Sequence, residues 1–290
     1  MNANIHAPSP TALSDAQRKA LIHLLGDDDP KVHETVKSRL LACGPEIIPW
    51  LQPHLLDNDP TLRRHATELV LHFRRSDCDA EFLAFCLNQG EDLDLERGMG
   101  LLCRTRYPQA NLEAFTAQLD QIAIDIRLRS VAQIAPQHRL LTVTQHLFHE
   151  LNFRGDTEYE SDPEACYFNR VMERRSGNPI GLCAILILIC RRLGLPVAGV
   201  GLPGHFVCRM QTPIVEHYID CFNQGRFLTK ADCVQYLHAT NHGLDEGYLS
   251  PVSTRRILMR MCANLQQTYL RLEDESEALR TKRYLIALAD

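Results

Sequence analysis

Three residues in the second half of the chain have side chains that could act together in nucleophilic catalysis. Cys183 lies near the start of the apolar stretch that runs from Asn178 to Pro196, and His205 and Asp220 follow in runs rich in β-branched and aromatic residues. A carboxylate can fix the tautomer of an imidazole for general-base work, and a thiol near that imidazole can become a nucleophile. A histidine and an aspartate on neighbouring strands are as often a structural hydrogen-bonded pair, so both interpretations stay open at this point.

The stretch from Asn178 to Pro196 predicts a single buried helix. Asn178 suits the N-cap, Pro179 fits the first helical position where its missing N–H costs nothing, and Gly194 fits the left-handed residue that ends a helix. The sequence between them begins IGLCAILILIC and is apolar on all sides, which is typical of a buried helix. Cys183 falls beyond the first turn, where backbone N–H groups stabilise a thiolate less. We therefore expect its pKa to be normal or raised and the thiol to be inert.

Three short runs after this helix predict consecutive antiparallel strands. They cover residues 197–202, 205–210 and 214–222, are rich in valine, isoleucine, phenylalanine and tyrosine, and are separated by proline and glycine. With a tight turn between the last two runs, His205 falls directly opposite Asp220 on one face of the sheet. This register predicts an imidazole–carboxylate hydrogen bond.

Longer motifs surround these residues. In chain order they read DPEACYFNRVMERRSGNPIGL, RRLGLPVAGVGLPGHFVCRM and YIDCFNQG, within residues 93–225. They resemble the SirB family of bacterial proteins, a branch of the transglutaminase-like, papain-related superfamily. The resemblance implies that the start of a buried helix faces a small antiparallel sheet, and that His205 and Asp220 match the histidine and aspartate of the superfamily.

The cysteine of the superfamily has no counterpart at the matching position. By the resemblance, the nucleophile of active transglutaminases falls on Pro179, and members of the SirB family commonly lack the cysteine there. Cys183 is four residues further on, hence on the same helix face but about 5.4 Å deeper along the axis. We therefore expect Cys183 to be a core residue rather than a nucleophile, unless the histidine strand has shifted with it.

The same motifs contain six candidate binding residues. They are polar, charged or glycine residues beside the helix start, the histidine or the aspartate: Asn178, Arg170, Glu173, Arg174, Gly204 and Asn223. The three charged residues could instead form an ordinary solvated helix face with i,i+4 pairing.

The rest of the chain predicts helices. LLGDDDPKVHETVKSRLL and LLDNDPTLRRHATELVL repeat the same Asp-Pro helix start after 30 residues, which resembles HEAT repeats and is assigned to residues 14–110. Residues 1–13 predict a flexible tail, residues 111–248 the transglutaminase-like core, and residues 249–290 a helical pair that resembles tetratricopeptide repeats. The predicted fold class is α+β and mostly helical, with a central buried helix on a small antiparallel sheet.

Composition argues against several classes of function. The net charge is -5 and the basic pairs are interleaved with acids, which argues against nucleic-acid binding. The longest apolar run, residues 182–190, is too short to span a bilayer, so no membrane segment is expected. Eleven cysteines in apolar contexts indicate buried free thiols in a reducing cytoplasm.

No metal or organic cofactor is expected. The chain has no glycine-rich phosphate-binding loop of the P-loop or dinucleotide type. His205, Cys208 and Cys221 include common metal ligands, but residues three apart on a strand point to opposite faces, so this set is not expected to converge.

Two functional hypotheses follow. The first is a catalytically degenerate transglutaminase-like protein that uses its helices and its histidine and aspartate to bind or regulate a protein or peptide partner. The second is a cysteine-dependent hydrolase or acyltransferase that acts on amide bonds, with helix N–H groups as an oxyanion hole. In that second case Cys183 is the nucleophile, His205 the base and Asp220 the residue that orients the base.

Overall fold

The structure is a computed structural model that describes residues 13–87, 90, 93–214, 216–243 and 245–289. Its contacts divide the chain into two compact units, Met1–Asp79 and Ala80–Asp290. Except for Leu13, the predicted flexible tail lies outside the described residues. The boundaries predicted at residues 110 and 248 stay predictions.

The first unit is built from helices around its own apolar core. They are α1 (Asp15–Leu25), α2 (Pro30–Ala42), α3 (Ile48–Leu51) and α4 (Pro60–Cys86), the last of which extends past residue 79. The Asp29 side chain accepts a hydrogen bond of 2.9 Å from the Lys31 N–H, and that of Asp59 accepts one of 2.8 Å from the Thr61 N–H. The two predicted Asp-Pro helix starts are therefore confirmed. The HEAT-like character of the unit stays a prediction.

The second unit combines helices with two small sheets. Its helices are α5 (Leu95–Arg106), α6 (Leu112–Arg129), α7 (Pro136–Thr144), α8 (Phe168–Arg174), α9 (Pro179–Arg192), α10 (Lys230–Ala239), α11 (Thr254–Arg271) and α12 (Glu275–Ala289). Its strands are β1 (Arg154–Gly155), β2 (Ser176–Gly177), β3 (Val197–Val200), β4 (Val207–Gln211), β5 (Glu216–Asp220) and β6 (Arg226–Leu228). The predicted α+β, mostly helical fold class is confirmed.

Helix α9 forms the centre of this unit. Every residue from Pro179 to Cys190 is buried, as the all-round apolar sequence predicts. The helix packs against β3 and β4 on the sheet and against α6 and α11 among the helices. The start of α9 is thereby fixed relative to the ends of the strands.

The larger sheet has the strand order β3, β4, β5, β6, with antiparallel neighbours. Cys208 pairs with Ile219 and Gln211 with Glu216, so four residues connect β4 to β5. The predicted register, which put His205 opposite Asp220, was wrong by two residues because a two-residue connection was assumed. His205 also lies before the first residue of β4 rather than within a strand.

The C-terminal helices α11 and α12 pack closely on each other, and α11 also contacts α5 and α9. The two amphipathic helices predicted around the sequence RLEDES are therefore present. The resemblance of this pair to tetratricopeptide repeats stays a prediction.

Candidate functional site

The start of α9 is fixed by Asn178. Its side-chain oxygen accepts a hydrogen bond of 2.8 Å from the Gly181 N–H, and its amide nitrogen donates to Cys166 Sγ at 3.0 Å. Asn178 and Cys166 are both buried. The predicted N-cap is confirmed, and because the amide of Asn178 already has partners inside the protein, its contribution to the site is to position Pro179.

His205 and Asp220 lie in contact. The distance from His205 Nε2 to Asp220 Oδ2 is 3.0 Å, and the two side chains are 14% and 8% exposed. Within the described part of the chain, Nε2 has no partner that meets the geometry of a hydrogen bond. Such bonds are often poorly aligned in sites without substrate and tighten when substrate binds.

Asn223 holds the carboxylate of Asp220. Its main-chain N–H donates to Oδ1 at 3.1 Å and its side-chain amide donates to Oδ2 at 2.8 Å. Burial raises the pKa of Asp220, but the contact with His205 and the hydrogen bonds from Asn223 outweigh burial, so the pKa lies below that of an ordinary aspartate. Asn223, predicted as a binding residue, therefore acts on the site through Asp220.

The loop before β4 that carries His205 is anchored from outside the sheet. The guanidinium of Arg260, on α11, donates to the carbonyl oxygen of Leu202 at 2.6 Å and to that of His205 at 2.9 Å. The Tyr236 hydroxyl, on α10, donates to the carbonyl oxygen of Pro203 at 3.0 Å. Sequence reasoning missed Arg260 and Tyr236, because neither lies in a motif that marks it.

Gly204, a predicted binding residue, lies in the same loop with φ of +72°, a left-handed conformation that favours glycine. A Cβ atom there would lie 3.3 Å from the Tyr236 hydroxyl. The glycine thus lets the chain turn directly beside the histidine.

A cleft of about 190 Å³ opens beside His205, and we call it the His205 cleft. It lies between the first turn of α9, the loop before β4 and one face of α11. The residues that line it are Tyr159, Glu160, Pro179, Ile180, Gly204, His205, Phe206, Arg260, Asn264, Gln267, Thr268 and Arg271. Cys183 is not among them, so at the cleft α9 presents Pro179, the position that the resemblance assigns to the nucleophile.

Cys183 instead belongs to a group of buried thiols. Its Sγ atom donates to the carbonyl oxygen of Phe206 at 3.5 Å, and Cys208 Sγ donates to the carbonyl oxygen of Cys183, also at 3.5 Å. The Sγ atoms of Cys208 and Cys221 are 4.0 Å apart, and all three sulfurs lie within 4.8 Å of one another. We call Cys183, Cys208 and Cys221 the three-thiol group. None of the three has any exposed surface.

The thiols of this group affect one another's ionisation. Burial raises the pKa of Cys183, but its interactions with the thiols of Cys208 and Cys221 and with His205 outweigh burial and lower the pKa. The pKa values of Cys208 and Cys221 are raised well above the usual thiol value, first by burial and then by their interaction with Cys183. The expected normal or raised pKa of Cys183 was wrong, because the motifs did not show that two other thiols converge on it.

The charged residues of α8 that were predicted as binding residues form ion pairs within the protein. Arg170 binds Glu164 at 3.1 Å and also contacts Glu173, while Arg174 binds Asp162 at 2.6 Å and also contacts Glu164. Most of these pairs join α8 to the segment before it. Arg170, Glu173 and Arg174 are not among the residues that line the His205 cleft.

The length and apolar content of the helices bear on membrane insertion. Within the described ranges, none is both long and apolar enough to cross a bilayer.

Comparisons with known proteins agree with this geometry. A family model described as the transglutaminase-like superfamily matches residues 113–263, just over half of the chain, which includes α9 and both sheets. A UPF0162 protein of Xylella fastidiosa (strain Temecula1) is 31% identical over 205 residues, which are 68% of this chain and 73% of the relative. A UPF0162 protein of Pseudomonas aeruginosa is 30% identical over 142 residues, which are 48% of this chain and 52% of the relative.

A similar region occurs in an animal protein. Human F-box only protein 21 is 28% identical over 183 residues, which are 57% of this chain and 26% of that protein. Among the bacterial relatives named above, the chain spans between 52% and 73% of their length. No solved structure is similar enough to this chain to count as a match.

Proposed function

The chain belongs to the transglutaminase-like superfamily, as a homologue of the bacterial UPF0162 proteins, and we propose that it is a catalytically degenerate member that binds a peptide segment of a protein partner. The proposed binding site is the His205 cleft. One observation carries the proposal: α9 presents Pro179 and Ile180 to this cleft, whereas Cys183 lies one turn deeper and is fully buried.

Proline cannot replace the missing nucleophile. Its side chain has no atom that attacks a carbonyl, and its nitrogen carries no N–H that could bind an oxyanion. His205 keeps its contact with Asp220 and still faces the cleft. In the cleft it therefore has no thiol of α9 to activate, and it serves as a polar wall of the binding site.

The opposite wall offers hydrogen bonds to a ligand. Asn264 and Gln267, both on α11, line the cleft, and their side chains make no hydrogen bond to any other described residue. A side-chain amide both donates and accepts, as every peptide unit of an extended segment does. A cleft with two such amides is suited to the main chain of a peptide more than to a single charged group.

One relative contains a region of this kind within a longer chain. In human F-box only protein 21 the similar region makes up 26% of the chain, so a region of this kind occurs as one part of a much larger protein. This arrangement is compatible with a recognition module used beside other domains.

The proposal is tested by selecting peptides from a displayed random library on the full chain. The double variant Asn264→Leu, Gln267→Leu removes both amide groups and keeps a branched apolar side chain at each position, and Gln266→Leu is the matched control on the same helix. Loss of two hydrogen bonds should weaken binding of the selected peptides by about tenfold or more, whereas the control should change it by less than about twofold. Equal binding by all three proteins, or no selected peptide, would contradict the proposal.

A second candidate function is the cysteine-dependent hydrolase or acyltransferase that acts on amides. It is favoured by the lowered pKa of Cys183 and by the position of this thiol four residues after Pro179 on α9. Here Cys183 would attack the amide carbon, His205 would take the thiol proton and return it to the leaving amine, and Asp220 would orient the imidazole.

Alkylation of the native chain separates the two functions. Under the hydrolase hypothesis iodoacetamide labels Cys183 well below pH 8, and His205→Ala abolishes the labelling. Under the binding hypothesis Cys183 reacts only after denaturation, because it has no exposed surface. Peptide mass spectrometry identifies the labelled residue in each case.

A further inference from the structure

The three-thiol group brings together cysteines that are distant along the chain. Cys183 lies in the second turn of α9, Cys208 in β4, and Cys221 directly after β5. Cys208 faces Ile219 across the sheet, so Cys221, two residues beyond Ile219, lies on the same sheet face as Cys208. Helix α9 packs on β4 and supplies the third sulfur. The arrangement therefore comes from the tertiary fold and not from a local sequence motif.

Burial alone would not distinguish these thiols, because free cysteine is an ordinary core residue. Cys190, two turns further along α9, is buried just as completely. Among the described residues, one group of potential metal ligands has its atoms close enough together to bind a single ion. It consists of Cys183, Cys208 and Cys221. The convergence of three sulfurs is the observation that needs an explanation.

The distances fit an ion at the centre of the sulfur triangle. The side between the Sγ atoms of Cys208 and Cys221 measures 4.0 Å, and no side is longer than 4.8 Å. The centre of such a triangle lies about 2.3 to 2.8 Å from each corner, and a metal–thiolate bond is about 2.3 Å long. The sulfurs would have to move inward by no more than about 0.5 Å for all three bonds to form.

The chemical nature of the three sulfur ligands indicates which ion would bind. Three thiolates in a plane, without a nitrogen or carboxylate ligand, suit a soft closed-shell ion that accepts three sulfurs. Zn²⁺ in proteins almost always takes a fourth ligand, whereas Cu(I) does not require one. We propose that Cys183, Cys208 and Cys221 form a buried trigonal site for Cu(I).

An ion at this position would connect α9 to β4 and to the end of β5. Cys221 follows Asp220 directly, so the ion would also hold the carboxylate that contacts His205. A metal-bound Cys183 sulfur is not available as a nucleophile. The site is independent of peptide binding in the His205 cleft, and either proposal can fail without the other.

The test uses the full chain, unfolded and refolded under reducing conditions with Cu(I), because the sulfurs are enclosed in the folded protein. Competition with bathocuproine disulfonate measures affinity, and X-ray absorption counts the sulfur ligands. We expect one Cu(I) per chain with three sulfur ligands, and a higher Tm than the metal-free chain has. Two sulfur ligands, nitrogen or oxygen ligands, or tighter binding of Zn²⁺ than of Cu(I) would overturn the assignment.

Variants locate the ion. Cys208→Ser and Cys221→Ser should each lower Cu(I) affinity by at least about a hundredfold, because one of three bonds is lost. Cys190→Ser is the matched control, a fully buried thiol on α9 outside the group, and should leave the affinity unchanged. Equal affinity in Cys208→Ser and Cys190→Ser would refute the site. If a serine variant does not fold, the ligand count from the wild-type chain decides alone.

Discussion

The His205 cleft and the three-thiol group share helix α9 but differ in access and in the kind of atoms they contain. The cleft takes the first turn of α9, is open to solvent, and is lined by polar side chains around an imidazole. The three-thiol group takes the second turn, has no exposed surface, and contains Cys183, whose pKa is lowered by its interactions with the two other thiols and with His205. A nucleophilic site needs an ionisable thiol and access at the same atom. Here the two properties are separated by one turn of helix.

The largest effect is expected from moving a thiol into the cleft with Pro179→Cys. The introduced thiol would lie at a helix N-terminus beside His205, and both features favour a thiolate. We expect iodoacetamide to label it at least about a hundredfold faster than Cys183 in the same folded chain. Peptide mass spectrometry over time measures both rates, and Pro179→Ser controls for the changed helix start. Comparable rates would show that access does not separate the two regions.

A smaller effect is expected when a side chain is shortened in each region. Cys183→Ala removes a fully buried sulfur and should lower the free energy of unfolding by about 1 to 2 kcal/mol. Gln267→Ala, on the exposed wall of the cleft, should change it by less than about 0.5 kcal/mol. Urea unfolding of the metal-free proteins measures both values. A larger loss for Gln267→Ala than for Cys183→Ala would reverse the comparison.

A further prediction concerns pH and Asp220. Because the pKa of Asp220 is lowered in the folded chain, its carboxylate stabilises the protein above the ordinary aspartate value of 3.8, and this contribution is lost as pH falls through the lowered value. Asp220→Asn lacks the contribution at every pH. The difference in urea midpoint between wild type and Asp220→Asn should therefore be largest near neutral pH and shrink in acid. A difference that grows in acid would mean that the pKa is raised.

The smallest effect is expected from the charged residues of α8. Arg170 pairs with Glu164 and Glu173 and does not line the cleft. Arg170→Ala should change the affinity for selected peptides by less than about twofold, and its ion pairs are exposed enough to contribute little to stability. Binding measured beside the Asn264→Leu, Gln267→Leu variant gives the comparison. A loss as large as that of the double variant would extend the binding site to α8.

Local features were predictable from the sequence because their causes are local. Asn178 and Pro179 specify the start of α9 through one hydrogen bond and one missing N–H, and both are visible in four consecutive residues. The buried character of α9 follows from its composition alone. The contact between His205 and Asp220 was also predicted, although the predicted strand register was wrong by two residues. The contact forms despite the different register because His205 lies in the loop before β4 and its side chain reaches Asp220.

Features that depend on several elements were not predictable in the same way. Cys208 and Cys221 converge on Cys183 only because of the true strand register and the packing of α9 on β4. Arg260 reaches the His205 loop from a helix that starts 26 residues after the sheet ends, and its sequence context is an ordinary amphipathic helix. No spacing rule connects such residues before the fold is known.

The hydrogen bonds from Arg260 to the loop that carries His205 affect where the protein should be divided for experiments. The two carbonyl oxygens that hold the loop in place receive their hydrogen bonds from α11, whereas the core predicted from the sequence ends at residue 248. A fragment cut there would keep the sheet, α9 and the histidine but lose this anchor. A minimal fragment for crystallisation or NMR should therefore continue to Arg271, the last residue of α11.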